Sequence, residues 1–252
     1  MTISDTNVFL SGLSSSARTS LLSHASVGDL PLHTRLYSET AKPRYAYFLL
    51  SGLASVVMTM PNGESAEVCV VGREGVVGTS HLLGHALLST HCTMQLGGSG
   101  LRIPFADLQQ AFDHSSEVRS RILEFVQEQG AVVAQVAGCN RLHSAEQRLI
   151  RWLLMAQDLT GSEKLEFTQE YLSQMIAAQR TTVTLIAGGL QQRGLISYSR
   201  GVIHILDRPG LEAATCVCYP VVKTLFSGLY RQDGAVAGAS DGASSREIPM
   251  SA

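Results

Sequence analysis

The sequence predicts an α+β protein: a β-sandwich or jelly roll first, one long helix next, and a winged helix-turn-helix domain last. Three observations predict it. Between Tyr45 and Ile103, short apolar runs are punctuated by glycine, the texture of strands turning corners. Between Ser116 and Cys139, the core positions recur at spacings of four and three, the period of a long helix. From Thr168 onward, two short amphipathic stretches separated by Ala177-Ala178-Gln179 are followed by a small hairpin.

The elements follow in order. Residues 1–14 are rich in Ser and Thr and are expected to be loose, and Ala17–His24 is expected to form a short helix. Tyr45–Leu50 runs into Ser51-Gly52, Ala54–Met60 into Pro61-Asn62-Gly63, and Glu67–Val71 into Gly72. Asn62-Gly63 between two such runs predicts a type I′ hairpin, whose two central residues both need positive φ.

In the long helix, Val118, Ile122, Phe125, Gln129, Val132 and Val136 make a heptad seam. Two uses fit it: packing on the chain's own β domain, or a parallel two-helix dimer interface with Gln129 setting register. The second is the preferred reading. A further helix, Ala145–Leu159, places Leu149, Trp152, Leu153 and Ala156 on one face.

Thr168 is a good N-cap, and Glu170 lies in the first turn, where the helix dipole favours a carboxylate. The next helix spans Arg180–Arg193 and stops at Gly194. Its residues Val183, Ile186, Ala187 and Leu190 share a core face, whereas Thr181, Thr184, Leu185 and Gly188 share another that carries no carboxylate. A neutral face of small residues behind an N-terminal cation suits the major groove, since acids repel phosphates and bulk holds the backbone away. Arg180 can bond guanine O6 and N7 or clamp a phosphate, Thr181 and Thr182 can bond phosphates or base edges, Leu185 can pack on a thymine methyl, and Thr184 on the same face is a further DNA-binding candidate. Gln169, Gln179 and the wing-tip Arg200 are candidate further contacts. Leu195–Tyr198 and Val202–Leu206 flank Ser199-Arg200-Gly201 as the wing, and a last helix is expected from Leu211 to about Tyr230.

The bulk numbers bound the rest. Net charge over 252 residues is −2, which argues against a protein that coats nucleic acid, yet residues 140–231 hold 10 Lys and Arg against 7 Asp and Glu. Five cysteines, at 69, 92, 139, 216 and 218, include no CxxC pair, so no zinc finger or thioredoxin-type motif is encoded and no metal is assigned. His81 and His85 read as loop histidines, and Cys216 and Cys218 as buried structural cysteines, because helical residues two apart do not face each other. No leader, membrane-length apolar run, GxSxG, HExxH or phosphate loop is present. The expectation is a cytoplasmic, non-enzymatic protein with reduced thiols and no contact with membrane.

Three stretches carry a resemblance. "FTQEYLSQMIAAQRTTVTLIAGGLQQRGLISYSRGVIHILDRPGLE" (Phe167–Glu212) resembles the winged-helix domain of the Crp/Fnr family of bacterial transcription regulators. "LYSETAKPRYAYFLLSGLASVV" (Leu36–Val57) and "VGREGVVGTSHLLG" (Val71–Gly84) resemble that family's cyclic-nucleotide-binding-type β-roll. The resemblance implies a homodimer on a near-palindromic double-stranded DNA site, with RNA polymerase as a further candidate partner. It divides the chain into a sensor domain (1–115), a dimerisation helix (116–140) and a DNA-binding domain (141–231); residues 232–252, rich in Gly, Ala and Ser and without periodicity, are expected to be a disordered tail. It implies an effector pocket near Val71, Gly72, Gly75, Val76, Gly78, Thr79 and His91. The family's cyclic-AMP-binding members carry a phosphate-binding arginine, but here no Lys or Arg occurs between Arg73 and Arg102. A cyclic phosphate would lack its bidentate partner, so cyclic AMP is not expected. The first cysteine is Cys69, so no iron–sulfur cluster of the N-terminal type is expected either, and no cofactor is assigned. The alternative from a different class is a small-molecule sensor that uses its winged helix for protein contacts.

Overall fold

A computed structural model describes residues 6–39, 41–84 and 89–230. His85 and the tail expected to be disordered, 232–252, lie outside the described residues. The chain opens with α1 (Val8–Ser11) and α2 (Ser15–Leu21). Seven strands follow: β1 (Ser26–Leu30), β2 (Arg35–Tyr37), β3 (Tyr45–Leu49), β4 (Leu53–Thr59), β5 (Ser65–Val71), β6 (Thr90–Leu96) and β7 (Gly98–Pro104). They form two antiparallel sheets, β1-β7-β3 and β2-β6-β4-β5, as the glycine-punctuated texture predicts. The core between them includes Phe48, Leu49, Ala54, Met94 and Ile103, all fully buried.

The N-terminal stretch corrects the expectation of looseness. Phe9 and Leu10 are fully buried, and the side chain of Asn7 donates to the carbonyls of Leu49 and Gly75 at 3.1 Å each. The hydroxyl-rich composition conceals this anchor because only a few residues of it face inward. The β4–β5 hairpin also differs from the type I′ expectation. The strands pair up to Thr59 and Ser65, Met60 N–H donates to Glu64 O, and only Gly63 of the loop has positive φ, at 86°. Pro61 fixes its own φ near −65°, which steers the connection into a longer loop that needs one left-handed residue at its end.

Helices α3 (Phe105–His114) and α4 (Ser116–Leu142) lead out of the β domain. Ser115 caps α4 by accepting from the N–H of Val118. The seam of α4 turns inward: Val118, Ile122, Phe125 and Val132 are at most 5% exposed and lie in the chain's own cores. Val136 packs against the second core, and Gln129 is half-buried with Trp152 and Arg151 nearby. Four of the six seam residues, Val118, Ile122, Phe125 and Val132, are thus covered by the chain itself, while Gln129 and Val136 remain half-buried. The heptad period reports which face is apolar; it does not say whose surface covers it.

The C-terminal part comprises α5 (Ala145–Thr160), β8 (Lys164–Glu166), α6 (Gln169–Met175), α7 (Arg180–Gln192), β9 (Ile196–Ser199), β10 (Val202–Ile205), α8 (Arg208–Ala214) and α9 (Cys218–Gly228). Ser144 and Gln147 close a capping box on α5. Strands β8-β10-β9 make the small third sheet. The predicted helix from Leu211 to Tyr230 is instead broken at Thr215–Val217. Pro220 explains the break: inside a continuous helix its ring would clash with the carbonyl of Cys216, so it is accommodated only in a first turn.

Candidate nucleic-acid interface

Helix α6 is short and capped by the Thr168 hydroxyl, which accepts from the N–H of Tyr171 at 3.1 Å. Its buried side, Tyr171, Leu172 and Met175, holds it on the domain core. The turn to α7 is made by Ala177, which takes the left-handed conformation with φ 48°. Helix α7 then buries Val183, Ala187 and Leu190, leaving Ile186 half-buried. On its outer side Arg180, Thr181, Thr184 and Leu185 are exposed, Leu185 to 78%, and Thr182 is half-buried.

The wing is a two-residue hairpin. Ser199 pairs with Val202, and the central Arg200 and Gly201 have φ of 50° and 79°, a combination in which both loop residues are left-handed. This lifts Arg200, exposed, to the wing tip. Thr168, Gln169, Arg180, Tyr198, Arg200 and Gly201 line one open groove between the start of α7 and the wing. Two candidate contacts are partly committed inside the protein: the Thr184 hydroxyl lies 3.0 Å from both Gln169 Oε1 and the Arg180 carbonyl. Gln179 precedes α7 and makes no side-chain cap bond to it, so the first-turn amides of this 13-residue helix receive no cap from that side chain.

The module meets the β domain at a half-buried carboxylate as well as through apolar packing. Glu67 of β5 accepts from Trp152 Nε1 at 3.2 Å, from the Tyr171 hydroxyl at 2.9 Å and from the Ser55 hydroxyl. Burial outweighs these donors and pushes its carboxyl up to about 7. Nothing in the spacing of Glu67, Trp152 and Tyr171 links them, so only the folded chain shows this latch. Because the folded value lies above that of an exposed Glu, the docked state binds the proton more tightly. Its stabilisation is complete at pH below the exposed value and is lost as pH rises through about 7. The thermal midpoint is therefore expected to fall between about pH 5 and about pH 8, and Glu67→Gln should remove part of that slope. An unchanged slope in the variant would show that Glu67 does not carry it. Glu74, held by the N–H of Gly72 and likewise raised by burial, contributes in the same direction.

The residues named for an effector pocket lie largely inside the protein. Val71 and Val76 belong to the core, and a methyl group at Gly75 would sit 2.1 Å from the Phe125 ring. Gly78 is left-handed with φ 104° and starts a 3-10 turn, while the buried Thr79 hydroxyl donates to the carbonyl of Val76. His91 is half-buried, with Nδ1 3.9 Å from Glu39. His81 is buried edge-on to Tyr37 rather than standing in an open loop. Elsewhere, Cys139, His143, Cys216 and Cys218 come together. Sequence reasoning missed this group because it assumed a continuous helix through residues 216 and 218. Cys216 in fact precedes α9 and Cys218 begins it, so both thiols can point the same way.

A winged helix-turn-helix joined through a long helix to a β-roll defines a two-domain DNA-binding regulator. Residues 29–115 match the model for the cyclic nucleotide-binding domain, and residues 147–214 match that for the Crp-like helix-turn-helix domain. The chain belongs to the Crp/Fnr family of transcription regulators. Among solved structures it is similar to FixK2 from Bradyrhizobium japonicum, with 13% identity and a TM-score of 0.64 over 77% of this chain and 98% of that one. It is also similar to the c-di-GMP-responsive global regulator CLP from Xanthomonas campestris, with 16% identity and a TM-score of 0.62 over 77% and 100%. A Crp-family transcriptional regulator from Thermus thermophilus is 22% identical, with a TM-score of 0.62 over 74% and 95%. No curated protein matches the chain. Among the described residues, no helix is long and apolar enough to cross a membrane.

Proposed function

We propose that the chain acts as a homodimer that sets two α7 helices into successive major grooves of a near-palindromic site, about 34 Å apart. The observation that carries this reading is the exposed, carboxylate-free face of α7, introduced by Arg180 and flanked across one groove by Arg200. Arg180 and Leu185 read base edges. Thr181 and Thr182 reach base edges or phosphates, and Gln169, Gln179, Thr184 and Arg200 position the backbone. The first-turn amides of α7 and its dipole favour a phosphate at the same end.

The dimer forms along the outward face of α4, where Leu123, Gly130, Val133, Ala134, Ala137 and Gly138 are exposed. Small residues there allow two helices to approach closely. The sensor, helix and DNA-binding parts divide at residues 115 and 140. The β-roll responds to something other than cyclic AMP, because its cassette offers no guanidinium to a cyclic phosphate.

Selection from a random duplex pool tests this. The expected product is one near-palindromic sequence with half-sites about 10 base pairs apart, bound with an affinity that falls steeply with salt. No enrichment would overturn the reading and favour a winged helix used for protein contacts.

A further inference from the structure

Three of the five cysteines, spread over 80 positions from Cys139 to Cys218, converge at the joint between the two domains. Cys139 lies in the last turn of α4, and His143 caps that helix four residues later in extended conformation. Cys216 stands in the break between α8 and α9, and Cys218 opens α9. The three thiols are at most 3% exposed, form no disulfide, and make a cluster separate from both hydrophobic cores. We propose that Cys139, His143, Cys216 and Cys218 bind one Zn²⁺ ion, which staples the end of α4 to the α8–α9 corner.

The distances carry the proposal. All four ligand atoms lie within 4.8 Å of one another. Cys139 Sγ is 3.6 Å from Cys216 Sγ, and Cys218 Sγ is 3.5 Å from His143 Nδ1. A tetrahedral zinc with ordinary bond lengths has edges of about 3.8 Å between two sulfurs and about 3.5 Å between sulfur and nitrogen. The set is soft and borderline, with no carboxylate, which selects zinc over magnesium or calcium. Three thiolates and an imidazole also complete the coordination, the arrangement of a structural site rather than one with a position open for substrate. An outer partner is in place: Gln135 Nε2 reaches Cys218 Sγ at 3.1 Å, where it would donate to the thiolate and hold it in position. A Cys139–Cys216 disulfide would use two of the four groups and leave Cys218 facing His143 without purpose. On binding, the ion displaces one proton from each thiol to solvent.

The placement gives the ion its consequence. Only Ser144 separates His143 from α5, so the site spans the joint through which α4 meets the helix-turn-helix domain. A filled site fixes that joint, and an empty one frees it. This regulatory meaning rests on the DNA-binding reading; the metal site itself does not.

The test uses the full chain, reduced and freed of metal. Zn²⁺ titrated against a chromogenic chelator is expected to bind at one ion per chain. Co²⁺ in its place is expected to show the intense visible absorption and sulfur charge-transfer band of a tetrahedral thiolate. Cys216→Ser is expected to abolish both, Gln135→Ala to weaken binding about 10–100-fold, and Cys69→Ser to change neither. Because the cobalt spectrum is read on the unsubstituted chain, a variant that fails to fold leaves the test intact. A weak octahedral cobalt spectrum, zinc retained in a folded Cys216→Ser variant, or a Cys139–Cys216 disulfide in freshly isolated protein would each overturn the site. Metal-loaded and metal-free protein should differ at least about 5-fold in affinity for a selected DNA site. Equal affinity would overturn the regulatory role while leaving the site, and no DNA binding in either form would overturn the DNA-binding reading instead.

Discussion

Phe125→Ala is expected to cost about 3–5 kcal/mol of unfolding free energy while leaving the chain able to pair with its twin. The ring is fully buried and fills the space above Gly75, where even a methyl group would collide with it. Removing it empties that space, and the loop of Gly72–Gly78 has little freedom to collapse because Glu74, Asn7 and Tyr230 already bind its backbone. Ala134→Glu should do the reverse. It places a charge on the outward face of α4, leaves the core untouched and drives the dimer apart. Urea melts at several protein concentrations, paired with sedimentation, separate the two. If Phe125→Ala dissociates the dimer with unchanged monomer stability, the seam joins two chains after all and the intrachain assignment fails.

That contrast shows where the sequence is legible and where it stops. Period is a local property, so the strands, the long helix and the helix-turn-helix can be read from spacing alone. The partner of an apolar stripe is not local, and the seam from Val118 to Val136 reads the same whether it meets a sheet or a second helix. The Glu67 latch joins residues far apart in sequence with no spacing signal, and the cysteine–histidine cluster consists of two local pairs, Cys139/His143 and Cys216/Cys218, that only the fold brings together. Pro220 bears on the second pair. It forbids a continuous helix through Cys216, which removes the objection to two thiols facing one way. Helix α7 is the opposite case. Its buried and exposed faces follow directly from i, i+3, i+4 spacing, and Val183, Ala187 and Leu190 are buried where the pattern places them.

Arg180→Ala is expected to weaken binding to the selected site by about 1–3 kcal/mol, roughly 5–150-fold, and to relax preference at the base pair it meets. The effect should be large because Arg180 stands where three favourable features coincide: the helix N-terminus, the open groove and a face without carboxylates. Tyr198 lines the same groove. Arg180→Lys separates the two roles open to it. A lysine keeps the charge but loses the planar fork, so phosphate clamping would survive and bidentate reading of guanine would not. Arg200→Ala provides the comparison. A wing-tip phosphate contact should weaken all sequences alike and lower the salt slope by about 1 for each wing engaged, without altering preference. If Arg180→Ala behaves like Arg200→Ala, with uniform loss and a shallower salt slope, then Arg180 holds the backbone and the reading of sequence passes to Thr181, Thr182 and Leu185. If it binds the site as tightly as the unsubstituted chain, α7 does not enter the groove by its N-terminal end.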